Sequence, residues 1–486
     1  MRKTHALISV AVLALTGLIS AGCTTPASVS DQYRVALRTQ KSPTVATPES
    51  NTTVLIFLVD GFAIPTLTHA LTASDASERA PNIARFFHVS ARGIHLGRAT
   101  FPTLTYPNLV SILTGSAVNK HGINGNRVID EKGDEINFED VQSWSYLNKR
   151  IGKQTMFARL TENDETSVSY SFPFTYGATA RAHKTIEAGV DYAEKDYEAI
   201  DQETLGSLAG LFATVPMEKW PRFLFVHLIG VDSYSHEFGP DDERTRAYVH
   251  KLDENLEPVF AAIRKAEKAG HKVKTVMTAD HGFVATTHAV HVKTMVEALN
   301  IGVHVVEDNR VASFYIPQSW SLRKREGFAE SFLSVKHVSW TAFREGSAIE
   351  LFHVSGLRGR IEIGKKACLT GNWSARVEWI QPHASAIRTV HTTEDYSCPE
   401  EYDQKGIDSS GGASFMVSGL VEYFTAPDAP DMILLPDAHS DFSGEYAGNH
   451  GGLTTQEVYV PILSRHADLP ATILPTSQLV HFLNVL

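Results

Sequence analysis

Three aspartates in this chain stand at or just beyond the ends of apolar runs, each with a glycine or a histidine close by. Asp60-Gly61 follows the run Val54 to Val59. Asp232 follows Phe223 to Ile229, and His236 comes four residues later, a spacing that lets both side chains face one ion. Asp280-His281-Gly282 closes a less regular run from Val273 to Met277. A further histidine, His450, lies in Gly448-Asn449-His450-Gly451-Gly452, a glycine-rich turn that permits close backbone approach. Three carboxylates and three imidazoles make an oxygen and nitrogen donor set suited to Zn²⁺. Two such ions could share the six ligands plus an oxygen from a nucleophile. Singly, each residue has a plainer reading, since a strand-end Asp often caps a helix and most of the 22 histidines must be ordinary ones. In this order, and at the ends of apolar runs, they read as one centre.

The elements that must position them follow from the runs themselves. A continuous stretch such as Val54-Leu55-Ile56-Phe57-Leu58-Val59 suits a strand buried on both faces, and helices covering both faces imply a parallel sheet. Met432 to Leu435 is read as a further strand of this kind, and charged helix-compatible stretches such as Glu243 to Ala269 lie between the runs. The pattern predicts an α/β fold whose site sits at the carboxyl ends of the strands. Residues 52–300 are read as the catalytic core and 417–486 as its C-terminal part. Between them, 301–416 carries amphipathic β-like pieces such as Ala348 to Val354 and is read as an inserted cap.

At this point the chain resembles the alkaline phosphatase superfamily, and within it the type I phosphodiesterase/nucleotide pyrophosphatase family. The resemblance rests on Val59-Asp60-Gly61-Phe62, Pro102-Thr103-Leu104-Thr105-Tyr106-Pro107-Asn108, and Thr114-Gly115 followed by His121-Gly122-Ile123-Asn124-Gly125-Asn126. It continues through Asp232 to His236 with Gly239-Pro240, Thr278-Ala279-Asp280-His281-Gly282, and Gly448-Asn449-His450-Gly451, in the family's order. It implies a mostly parallel central sheet flanked by helices, two Zn²⁺ and the hydrolysis of phosphate diesters through a phospho-threonine intermediate. Thr105 would be the nucleophile. One zinc would be held by Asp232, His236 and His450, and the other by Asp60, Asp280, His281 and Thr105. Asn126 would contact the phosphoryl oxygens, and Asn108 would brace the nucleophile turn. Selectivity is expected in the cap and around Leu104 and Tyr106. Arg127, directly after Asn126, could reach phosphate or point to solvent, which leaves a phosphomonoesterase open. The alternatives on the same fold are a phosphoethanolamine-type transferase and a catalytically silent binding lipoprotein, and the presence of all six ligand positions and Thr105 speaks against the latter.

The remaining features bear on location. Arg2 and Lys3 precede an apolar segment, Ala6 to Ile19, too short to span a bilayer, and Ser20-Ala21-Gly22-Cys23 resembles a bacterial lipobox. Residues 1–22 are thus expected to be a signal peptide and Cys23 the lipidated residue, with no Asp after it. The expected location is the bacterial cell envelope, on an outer-membrane lipid anchor facing the periplasm or exterior. Residues 23–51, rich in Ser, Thr, Pro and Ala, read as a tether. Cys368 and Cys398 could pair across a loop of about 30 residues in such a compartment. The formal net charge of −11 argues against nucleic-acid binding but not against a small phosphate ester held by metal ions. A monomer is expected.

Overall fold

Val54 to Val59 are all buried, as a strand covered on both faces requires. The computed structural model describes residues 27–39, 52–130, 132–171, 173–182, 195–365, 374–383, 386–392, 398, 413–444, 446–470 and 472–485. Three two-stranded ribbons apart, strands β1 (Thr52–Val59), β2 (His95–Arg98), β3 (Ser167–Tyr170), β4 (Ala180–Arg181), β5 (Phe223–Leu228) and β6 (Lys272–Thr278) lie in one sheet. The next eight are β7 (His304–Asp308), β8 (Val311–Tyr315), β9 (Val338–Glu345), β10 (Ala348–His353), β11 (Arg358–Gly364), β12 (Ser374–His383), β13 (Ala386–Thr392) and β14 (Met432–Pro436), and they form a second sheet. β15 (Tyr459–Arg465) and β16 (Leu474–Pro475) return to the first, giving it the order β16-β2-β15-β6-β1-β5-β3-β4. The central pairings β6-β1-β5-β3-β4 are parallel, while β15 runs antiparallel to both β6 and β2. This is an alkaline phosphatase-like α/β fold.

The helices that matter here are α1 (Val29–Thr39), α2 (Thr105–Thr114), α3 (Tyr197–Thr214), α4 (Gly230–Phe238), α5 (Glu243–Lys268) and α6 (Ala413–Phe424). Side chains of β1 alternate between two cores, as the pleat dictates. Leu55, Phe57 and Val59 pack with Leu205 and Leu208 of α3 and Leu252 and Leu256 of α5. Val54, Ile56 and Leu58 pack with Leu109, Ile112 and Leu113 of α2. Register then aligns the strand ends, because Val59 pairs with Leu228 and Leu58 with Thr278. Asp60, the Ile229–Gly230 turn and Asp280 therefore leave the sheet at one edge.

Two sequence expectations need correction. Met432–Leu435 is buried as expected, yet β14 pairs antiparallel with β8 and β9 inside the second sheet. Both its faces are covered: Ile433 and Leu435 pack with Leu420 and Phe424 of α6, and Met432 and Leu434 with Phe314 and Phe332. Burial on two faces produces an apolar run whatever the strand's direction or sheet. The second sheet thus extends past residue 416, where the core was expected to resume.

The stretch 23–51 is also more than a tether, since α1 docks on the domain through Tyr33, which is fully buried. The Tyr33 hydroxyl bonds Thr166 Oγ1 at 2.8 Å and donates to the Lys219 carbonyl at 3.0 Å. Val29, Tyr33 and Leu37 recur at four-residue steps, a helical period diluted by the polar residues around it. Residues 1–22, Cys23 and Cys368 lie outside the described residues, and Cys398 is buried. Among the described residues no helix is long and apolar enough to cross a membrane.

Candidate active site

The structure brings all six expected ligands and Thr105 together. His281 Nε2 lies 3.3 Å from Asp60 Oδ1, 3.3 Å from Asp280 Oδ2, 4.0 Å from Asp232 Oδ1 and 3.2 Å from Thr105 Oγ1. Asp232 Oδ1 is 3.6 Å from both His236 Nε2 and His450 Nε2, and those two nitrogens are 3.1 Å apart. Asp232 and His236 share a face of α4, one helical turn apart, as their spacing predicts.

The second nitrogen of each imidazole explains why these atoms converge. His236 Nδ1 lies 3.0 Å from the Gly448 carbonyl, His450 Nδ1 2.8 Å from that of Thr103, and His281 Nδ1 3.2 Å from that of Gly282. A carbonyl only accepts, so each Nδ1 carries the proton and each Nε2 presents a lone pair inward. The carboxylates are oriented the same way. Asp60 Oδ2 is engaged by His227 Nε2 at 2.7 Å, and Asp280 Oδ1 accepts from the Gly61 amide at 3.2 Å. Their other oxygens, Asp60 Oδ1 and Asp280 Oδ2, are buried and, among the described residues, have no hydrogen-bond partner, as is the case for Asp232 Oδ1.

These groups cannot neutralise one another. Burial, and then the Asp60 charge, raises Asp280 to about 7 and holds Asp232 well above its ordinary value. Burial also depresses the imidazoles: His236 falls to about 3, with His281 and His450 lowered too. A buried polar atom left unpaired costs roughly 1–3 kcal/mol, and more when charged. Three such oxygens facing three imidazole nitrogens gather oxygen and nitrogen lone pairs at one point, the chemistry that a cation satisfies. The groups Asp60/Asp280/His281 and Asp232/His281/His450 each hold their ligand atoms within 4.8 Å of one another, so the donor set fits metal ions.

Residues 54–446 match the family model for type I phosphodiesterase/nucleotide pyrophosphatase. The chain belongs to that family. An uncharacterized pyrophosphatase/phosphodiesterase of Schizosaccharomyces pombe is 23% identical over 48% of this chain and 45% of its own length. Human ectonucleotide pyrophosphatase/phosphodiesterase family member 5 is 21% identical over 55% of this chain and 54% of its own. The chain therefore spans about half the length of the curated relatives it matches. Among solved structures, an inactive variant of murine ectonucleotide pyrophosphatase/phosphodiesterase 5 in complex with AMP is similar in fold. It has a TM-score of 0.54 at 12% identity, covering 89% of this chain and 95% of that one. Phosphonoacetate hydrolase from Sinorhizobium meliloti 1021, in complex with phosphonoformate, gives 0.53 at 15%, covering 92% and 98%.

The phosphodiesterase-family motifs can now be read as geometry. Thr105 opens α2 and is partly exposed, with Leu104 as N-cap. Asn108 is buried and braces the turn as expected: its Nδ2 donates to the carbonyls of Thr100, Pro102 and Leu104, and its Oδ1 accepts from the Thr100 amide. Asn126 is buried, and its Oδ1 accepts from the Tyr106 amide at 3.0 Å, so Nδ2 is the end left to donate. The Arg127 side chain is 41% exposed and sits 3.8 Å from Glu139. Leu104, expected among the selectivity residues, is fully buried and so faces no substrate.

Sequence reasoning missed the groups behind the candidate ligands. His227 points from β5 onto Asp60, with Ser171 Oγ 3.4 Å from its other nitrogen. Its inclusion in an apolar run, Phe223 to Ile229, was the one available signal. Asp201 of α3 accepts from the amides of Ile229 and Gly230 at 2.8 and 3.1 Å and from the Tyr248 hydroxyl, thereby capping the helix that carries Asp232 and His236. Gly230 is needed there, because a Cβ would stand 2.0 Å from that hydroxyl. Nothing in the sequence around Asp201 marks this role.

Proposed function

We propose that this chain is a two-zinc hydrolase of phosphate diesters that works through a phospho-threonine on Thr105. One observation carries the reading: three histidine Nε2 atoms and three partnerless carboxylate oxygens converge beside the Thr105 hydroxyl. Asp232, His236 and His450 would hold one ion, and Asp60, Asp280 and His281 the other, which Thr105 also approaches. Bound ions would supply the Lewis-acid charge that makes a hydroxyl nucleophilic at neutral pH and offsets phosphoryl charge.

The chain's own groups account for the rest. Thr105 gives up its hydroxyl proton as Oγ1 bonds to phosphorus, and the leaving oxygen departs protonated as an alcohol. Water then cleaves the Thr105–phosphate bond, its hydroxyl going to phosphorus and its proton restoring the Thr105 hydroxyl. The amino end of α2 favours the anion, and the Asn126 amide donates to a phosphoryl oxygen. The outward position of Arg127 supports a diester, since the extra charge of a monoester calls for a cationic side chain in the pocket. The AMP in the murine neighbour supports a nucleotide-type substrate.

The test compares bis-(p-nitrophenyl) phosphate with p-nitrophenyl phosphate, with and without chelator. Zinc-dependent turnover favouring the diester is expected. Thr105→Ala should lose turnover by at least about 10³-fold while keeping its metal. An active Thr105→Ala protein, or turnover indifferent to chelation, would refute the mechanism.

The location stays part of the proposal: a monomer anchored in the cell envelope through lipid on Cys23. Cys23→Ser should move the protein from the membrane fraction to the soluble one, and unchanged fractionation would remove the anchor from the reading.

A further inference from the structure

Among the described residues the candidate ligands all lie outside the second sheet, yet the turn between its first two strands reaches the centre. That turn is Asp308-Asn309-Arg310. Asp308 is buried, and its Oδ2 accepts from the amides of Asn126 at 2.7 Å and Arg127 at 3.0 Å. The Arg310 amide donates to the His450 carbonyl at 3.1 Å. The Arg310 guanidinium, 1% exposed, pairs with Glu457 at 2.9 Å and donates to the carbonyls of Asp437 and Ser440. Glu457 in turn accepts from the Gly452 amide at 2.7 Å, at the end of the His450 loop.

Two motif glycines lie against this turn. A Cβ on Gly125 would stand 2.6 Å from the Arg127 carbonyl and 3.0 Å from Asp308 Oδ2, and one on Gly451 would stand 3.0 Å from Leu104 Cδ2 and 3.1 Å from the Arg310 amide nitrogen. Between these anchors sits Asn309, a non-glycine residue at φ 57°, a left-handed conformation that costs most side chains energy. Its carbonyl accepts from the Phe442 amide at 2.9 Å. Its side chain is partly exposed, and Nδ2 lies 3.4 Å from His450 Nε2, the nitrogen that faces the centre. An amide donor aimed there, with its backbone fixed on both sides, is placed to meet an oxyanion held at the same point.

We propose that this turn completes the phosphoryl pocket: Asn309 Nδ2 donates to an oxygen of the bound phosphoryl group, and Asp308 is a positioning residue that sets Asn126 beside it. The inference rests on the phosphate-ester reading of the same site, although it requires binding rather than turnover.

The experiment measures inorganic phosphate binding by calorimetry on zinc-loaded protein, with zinc content and bis-(p-nitrophenyl) phosphate turnover determined on the same samples. Asn309→Gly is the informative variant, because glycine accepts the left-handed backbone and only the amide is lost. It should weaken phosphate binding about tenfold with zinc content unchanged, the loss expected for one hydrogen bond to a charged group. Asp308→Ala should weaken it similarly, and Asp308→Ala combined with Asn126→Ala should be no weaker than Asn126→Ala alone, since one acts through the other. Asp308→Asn, which keeps an acceptor oxygen, should restore most of the affinity and guards against a simple folding defect. Asn309→Gly binding phosphate like the parent, additive Asp308 and Asn126 effects, or a parent that binds no phosphate would each overturn the inference. Failure of the diesterase reading would look different: the parent would show no zinc-dependent turnover while the variants still changed phosphate binding.

Discussion

The two sheets reach the same site by different routes. Adjacent parallel strands β6, β1 and β5 end in register and deliver Asp280-His281, Asp60 and the α4 pair Asp232/His236 within a few residues of the sheet. The second sheet contributes a turn that accepts from the Asn126 amide and donates to the His450 carbonyl, both more than a hundred positions away. Five of the six candidate ligands come from the route in which a short stretch of sequence fixes both strand and side chain, and His450 comes from a glycine-rich loop whose carbonyl the second sheet's turn holds. Positioning groups come from the route that needs a long-range approach. Metal binding should therefore respond mainly to changes behind the first sheet.

The largest effect expected on that comparison is at His227, the β5 side chain that holds Asp60 Oδ2. His227→Ala should weaken zinc binding by about 10–100-fold in chelator competition, the usual consequence of losing an outer partner of a ligand. A change in the second sheet such as Asn309→Gly should leave zinc affinity in place. Equal zinc loss in both variants would break the distinction between cradle and turn.

This difference also decides what could be read beforehand. The convergence of the six candidate ligands on Thr105, and the places of Asn108 and Asn126 beside it, were legible because each residue sits in a compact motif. β14 was legible as a buried strand but not as a member of the second sheet, because a run such as Met432-Ile433-Leu434-Leu435 records cover on both faces and not the neighbour it pairs with. α1 was missed because polar residues outnumber its apolar stripe of Val29, Tyr33 and Leu37. Asp201 and Asp308 carry no local signature at all, since their partners, the Ile229–Gly230 and Asn126–Arg127 amides, are backbone groups far along the chain.

A smaller effect, in pH dependence, sharpens the picture of the cradle. In metal-free protein Asp280 is raised from 3.8 to about 7, chiefly by burial, and Asp232 is raised as well. A carboxyl with a raised folded pKa binds its proton more tightly when folded, so its ionisation penalty is absent below 3.8 and complete above about 7. The histidines oppose this at lower pH. His236 is lowered from 6.5 to about 3, so the unfolded chain takes up protons that the folded one refuses as pH falls through that window. Zinc needs ionised carboxylates and neutral imidazoles, so it removes the carboxylate penalty most fully where that penalty is complete. The rise in Tm on adding zinc should be larger at pH 8 than at pH 5 by thermal denaturation. Equal shifts would mean that these carboxylates are not the ions' ligands.

The smallest effect is expected at Arg127, where the two routes meet. Its amide is held by Asp308 of the second sheet, while its side chain, 41% exposed, lies 3.8 Å from Glu139, which is 54% exposed. An ion pair that open contributes about 0–1 kcal/mol, so Arg127→Ala should change kcat/KM for the diester by less than about threefold. The ratio of diester to monoester turnover should stay as it is. A loss confined to the monoester would instead show that the guanidinium reaches into the pocket during turnover. Substrate class would then be set beside the second sheet's turn, and the cradle would supply only the metal chemistry.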